Sequence, residues 1–201
     1  KDLELAGSPE MLKVMQIVKD LGSNIDEGAV NRSWNLSTAL VLDNTAAFQV
    51  MGDWARGEFQ LAGKKPGVDY ACIPGPIPNA KNARVVGDIF VFFKQSDPEV
   101  ERAQMSLASL MVSPTVQAKF NGNKGSAPIR DDVDMSLADE CMQKGIALLG
   151  QPGAVVPDTP VWRTEAFNTA QNAIWSDLLF NPESTPEAAQ AQFVELLRNA
   201  D

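Results

Sequence analysis

Trp54 follows Gly52-Asp53 at the end of a short apolar run, Ala46 to Met51, and precedes a helical segment. In open α/β sheets ligands bind outside the carboxyl ends of strands, and an aromatic there is a platform for an apolar ligand face. The competing role is a core tryptophan. Asp88 interrupts the most apolar stretch of the chain, between Val86 and Ile89-Phe90. A carboxylate is costly to bury there without partners, so either that face is solvated or the charge has a task. Lys124 lies in the glycine-flanked run Gly122-Asn123-Lys124-Gly125-Ser126, where it either meets a ligand or is an ordinary surface lysine. The run lacks the spacing of a phosphate-binding loop. Trp162 follows a Pro/Gly-rich connection at the start of a helical segment and is a further ligand candidate. Trp175 falls in a stripe with Leu178 and Leu179 and reads as packing.

Other chemistries are narrowed by composition. The chain of 201 residues has no histidine, which removes Ser-His-Asp and Cys-His catalysis and His-containing zinc sites. Asp53 and Asp88 are the best acid pair for a glycosidase, with nothing to show the separation or raised acid pKa that one needs. Asp131, Asp132 and Asp134 lack the glycine and distal glutamate of a calcium loop and read as a capping run. No metal and no cofactor is expected. The net charge of −9 argues against a nucleic-acid partner, which needs clustered Lys and Arg. Two cysteines, Cys72 and Cys141, cannot build a zinc site alone; on count they are either one disulfide or two buried thiols.

The elements that position these residues are mostly helical. Ser8-Pro9-Glu10, Asp97-Pro98-Glu99 and Ser113-Pro114 are cap–proline signatures, and Thr185 caps Pro186 to Asn199. The patterns predict helices from Pro9 to about Leu21, Asn35 to Asp43, Asp53 (as cap) to about Ala62, and Pro98 to Leu110. Others are predicted from Pro114 to about Phe120, Ser136 to about Leu149, and Trp162 to about Leu179. Asn121 to Ser126 reads as a turn-rich loop. Ala46 to Met51, Tyr70 to Ile73 and Val85 to Phe93 read as buried strands. Strands separated by helices indicate an α/β fold with mostly parallel pairing. Three strands are few, and their edges need further neighbours. No apolar run approaches a membrane span. Lys1-Asp2-Leu3-Glu4 is no signal peptide, so none existed or it was removed.

The run from Asn44 to Phe59 resembles the signature of periplasmic sugar-binding proteins of ABC importers, and is most similar to the glucose/mannose-binding branch. Pro66 to Pro74, Asp88 to Lys94 and Phe120 to Arg130 agree in order and spacing. The resemblance implies an α/β, type II periplasmic binding protein fold, incomplete and mainly the C-terminal lobe. Residues 1–84 would be the first part of that lobe. Residues 85–129 would be hinge strands and an excursion into the N-terminal lobe, and 130–201 the helical closing part.

The implied function is binding of a mono- or small oligosaccharide for uptake, not catalysis. Trp54 would stack under the ring, Asp88 accept from hydroxyls and Lys124 donate to them. The family's cleft histidine would fall near Val161; with none present, Trp162 is the substitute by stacking. A periplasmic location implies that Cys72 and Cys141 are bridged. The implied partners are a membrane permease and the missing N-terminal half, or self-association through the helices of 98–120. The alternatives are a carbohydrate-active enzyme using Asp53 and Asp88, or a ligand-free interaction module.

Overall fold

A computed structural model describes residues 2–26, 28–75, 82–136, 138–156 and 163–200. The chain divides into two compact units, Lys1–Arg32 with Asp158–Asp201, and Ser33–Pro157.

The first unit is helical. Helices α1 (Leu3–Ala6) and α2 (Pro9–Gly22) come from one end of the chain, α8 (Glu165–Phe180) and α9 (Pro186–Asn199) from the other. Their starts are fixed locally: Ser8, Thr164 and Thr185 each accept from the backbone N–H three residues on, which stabilises a helix by about 1 kcal/mol. Their apolar faces meet in one core of Ala6, Met15, Ile174, Leu178, Ala189 and Phe193. Trp175 packs on Phe193, ring centroids 6.0 Å apart, the packing role its stripe predicts. Lys19 Nζ donates to the carbonyls of Asn181 and Pro182, satisfying groups that the end of α8 leaves open. Helix α8 starts at Glu165 because Thr164 caps it, later than the Trp162 expected from sequence. Trp162, Val161 and part of each Pro/Gly-rich connection lie outside the described residues.

The second unit carries α3 (Trp34–Leu42), a 3₁₀ turn (Asp53–Ala55) running into α4 (Arg56–Leu61), α5 (Pro98–Met111), α6 (Pro114–Lys124) and α7 (Glu140–Leu149). Asp53 begins the 3₁₀ turn and Gly52 is its cap, whereas the sequence pattern predicts Asp53 as the cap. Helix α6 continues through Asn121-Gly122-Asn123 to Lys124, where the expectation was a loop. It stops at Gly125, whose φ of +92° is the left-handed conformation that ends helices. The turn-forming residues are kept helical because Asn121 is buried and bonded, Nδ2 to the Gln117 carbonyl and side chain and Oδ1 from Ser126. Helix α7 starts at Glu140 under an Asp139 cap, not at Ser136.

Among the described residues the strands are β1 (Ala83–Arg84) and β2 (Val155–Val156), paired in parallel. The expected strands at 46–51 and 85–93 do not form, and 70–73 makes a single bridge, Pro66 to Tyr70. High strand propensity gives no ladder without a neighbour to exchange hydrogen bonds with. The apolar side chains of these segments therefore stand in solvent: Phe48 is 85% exposed and Ile89 84%. Helix α5 buries no residue, and Val100, Leu107 and Leu110 are exposed along it. Among the described residues, no helix is long and apolar enough to cross a membrane.

Candidate functional site

Trp54, Asp88 and Lys124, far apart in sequence, line one cavity of about 440 Å³. That volume suits a small-molecule site. Each residue arrives on a different element. Trp54 is the middle residue of the 3₁₀ turn, Asp88 lies in the irregular segment after β1, and Lys124 closes the last turn of α6. Trp34, at the start of α3, lines the same cavity.

Gly52 sets the attitude of the Trp54 ring. A Cβ at position 52 would stand 2.2 Å from Cζ3 of the indole, so the ring lies against a backbone that only glycine leaves clear. A second pair of glycines sets the spacing of the two walls. A Cβ at Gly57 would stand 3.0 Å from the Lys124 carbonyl, and one at Gly125 would stand 2.9 Å from the Gly57 backbone nitrogen. The 3₁₀ turn and α4 thus settle onto the end of α6 at backbone-to-backbone distance, which carries Trp54 up beside Lys124.

Polar groups hold that contact. Arg56 is 8% exposed; its Nε donates to the Gly125 carbonyl at 3.3 Å and its Nη1 is ion-paired with Asp139. Its Nη2 is buried and, among the described residues, has no hydrogen-bond partner. Asp53 Oδ2 accepts from the Ala127 N–H at 3.2 Å, and Gln117 Oε1 accepts from the Ile129 N–H, so the segment after α6 is tied at two points. Lys124 Nζ sits 2.5 Å from Asp88 Oδ2, and both side chains reach solvent. The pair offers an acceptor and a donor side by side at the rim of an aromatic floor. Such a surface suits a ligand with an apolar face and a hydroxyl edge.

Asp53 and Asp88, the acid pair considered for glycoside hydrolysis, line different cavities. Asp53 faces the larger one, about 850 Å³, with Arg56, Phe59 and Tyr70 in its walls. Phe59 and Tyr70 stack with centroids 4.2 Å apart. Burial pushes the Tyr70 phenol up, and the Asp139 carboxylate acts in the same direction. The disulfide Cys72–Cys141 also lines this cavity and ties the segment after Tyr70 to α7. Among the described residues no group of three or more metal-ligating side chains converges. In the acidic run, Asp132 pairs with Arg130 and Asp134 accepts from the Ser136 N–H; these contacts hold both carboxyls below the usual range.

Sequence reasoning missed Trp34, whose only local signal is an aromatic just after the helix-capping position Ser33. It also missed Arg56, whose ion-pair partner is 83 positions away.

Residues 1–148 match the family model of the bacterial extracellular solute-binding proteins. The chain belongs to that family. It is 42% identical over 147 residues to a probable sugar-binding periplasmic protein of Brucella suis, covering 73% of this chain and 34% of the relative. It is 39% identical over 145 residues to a probable sugar-binding periplasmic protein of Rhizobium meliloti, covering 72% and 34%. It is 32% identical over 200 residues to an ABC transporter extracellular-binding protein of Pyrococcus horikoshii, covering 92% and 42%. The chain thus spans about a third of the length of the sugar-binding relatives it matches.

Proposed function

We propose that this chain is the sugar-holding part of an extracellular binding protein that serves ABC-transporter uptake. The ligand is a mono- or small oligosaccharide. The observation that carries this reading is the convergence of Trp54, Asp88 and Lys124 on one cavity, with Trp34 beside them. Trp54 stacks under the C–H face of the ring, Asp88 accepts from hydroxyls, and Lys124 donates to them. Trp34 supplies a second apolar wall, and Trp162 remains a candidate for the place of the family's histidine. The names of the relatives support the sugar, the importer and the periplasmic setting.

The same reading extends to architecture. The fold is a type II periplasmic binding fold, of which this chain is mainly the C-terminal lobe. Residues 1–84 and 130–201 belong to that lobe, and 85–129 make the hinge excursion. The unpaired apolar segments at 46–51 and 85–93 and the uncovered face of α5 support it, because they await strands and a sheet that longer relatives have length to supply. The partners are the N-terminal half and the permease, with self-association through 98–120 as the substitute when that half is absent.

Calorimetry against single monosaccharides, led by D-glucose and D-mannose, tests the reading. Saturable binding lost in Trp54→Ala is the expected result. No binding by this chain, alone or with the N-terminal half of a close relative added, overturns it.

A further inference from the structure

We infer that Arg56 is a positioning residue for the proposed sugar site, and that it acts by clamping the turn that carries Trp54 to the helix end that carries Lys124. The inference rests on the sugar-site reading for its effect on affinity, and on geometry alone for its effect on Trp54.

Arg56 follows Trp54 by two residues and opens α4. Its side chain does not enter the cavity that Trp54 and Lys124 line. It lines the larger cavity instead, is almost wholly buried, and divides its donors between two elements. Nε donates to the carbonyl of Gly125, the residue that follows Lys124 and ends α6. Nη1 pairs with Oδ2 of Asp139, whose other oxygen, Oδ1, accepts from the Met142 N–H and caps α7. One planar guanidinium therefore fixes the 3₁₀ turn, the end of α6 and the start of α7 together. Lysine has one charged nitrogen and no rigid fork, so it cannot hold both partners in that geometry.

Two further observations make this clamp more than packing. The contact it secures is the glycine-to-glycine approach of Gly57 and Gly125, which has no side chains of its own to hold it. Among the described residues, the Asp53 side chain, next to Trp54, takes one bond across the junction, from the Ala127 N–H, and that bond is solvent-exposed. Without Arg56 the turn loses its buried anchor, and the separation of Trp54 from Lys124 is no longer set.

The test labels the whole chain with 5-fluorotryptophan and assigns the fluorine resonances by single Trp→Phe variants. Arg56→Met keeps the aliphatic stem and removes the donors. The expected result is a displaced Trp54 resonance in the ligand-free protein, an unchanged Trp175 resonance, and affinity for D-glucose or D-mannose reduced roughly tenfold to a hundredfold. Arg56→Lys should restore part of both readouts. A folded Arg56→Met protein whose Trp54 resonance stays at the wild-type position overturns the inference, as does full restoration by lysine. If Arg56→Met does not fold, Asp139→Asn, which can still cap α7, decides on the same Trp54 criterion. If the wild type binds no sugar, the functional reading fails while the Trp54 resonance still decides the role of Arg56.

Discussion

The Lys124 ammonium and the Asp88 carboxylate stand 2.5 Å apart across 36 positions of sequence, with solvent reaching both. A pair this open contributes little to stability, about 0–1 kcal/mol, because water and salt screen it. Its value is as a donor and an acceptor held together beside Trp54. Asp88→Asn should therefore change thermal stability by no more than about 1 kcal/mol. It should weaken sugar binding by roughly tenfold, the loss of a hydrogen bond to a charged group. Thermal melts and calorimetry on the same samples separate the two effects.

Trp54→Ala should abolish measurable sugar binding, since it removes the aromatic floor, while Trp54→Phe keeps a weaker one. The side chain is only partly buried, so the melting temperature should move little. Unchanged affinity in Trp54→Ala would reject the site.

Two glycines near the site should respond differently to alanine. Gly52 has a φ of −70°, which alanine adopts freely, but its Cβ would strike the indole. Gly52→Ala should leave stability unchanged to within about 1 kcal/mol and shift the tryptophan emission as the ring is pushed aside. Gly125 has a φ of +92° and no room against Gly57. Gly125→Ala should cost about 1–3 kcal/mol in urea unfolding.

The helices were readable from sequence because their signals are local. Ser8, Asp97 and Thr185 each cap the helix they precede through bonds spanning two or three residues. The sequence reads strands at 46–51 and 85–93 where none forms, because propensity is local while pairing depends on other chain segments. Trp54, Asp88 and Lys124 were singled out from motif positions, but their common cavity depends on glycine contacts that no spacing reveals. Arg56 was invisible for the same reason: its partner Asp139 lies in a different helix cap, at a distance only folding can close.

The Cys72–Cys141 bridge closes a loop of 69 positions. In the chain-entropy model such a loop stabilises by about 4 kcal/mol. Alkylation in denaturant without reductant should leave the mass unchanged, and after reduction it should add two labels. The reduced protein should unfold at clearly lower urea.

Acid should destabilise the protein in a single direction. Asp26, through Arg32, and Asp132, through Arg130, have carboxyls held below the ordinary 3.8, as does Asp177 through Asn181. A lowered folded value means the unfolded chain binds more protons near that pH, so the stabilisation is present above the unfolded value. It is lost as pH falls through the folded one. With no imidazole in the chain, stability should be nearly flat from about pH 5 to 8 and decline below about pH 4. Urea midpoints across that range check both statements.

The core that unites α2 with α8 and α9 has a consequence for how the molecule is made. Lys19 and the Asn181 carbonyl it holds are 162 positions apart. On a ribosome, α2 emerges on the order of ten seconds before its partners exist. During that interval Met15 lacks the Ile174, Leu178, Ala189 and Phe193 side chains that complete its core. The unit is therefore completed only when α9 is delivered, and its assembly is set by the arrival of α8 and α9 rather than by the formation of α2.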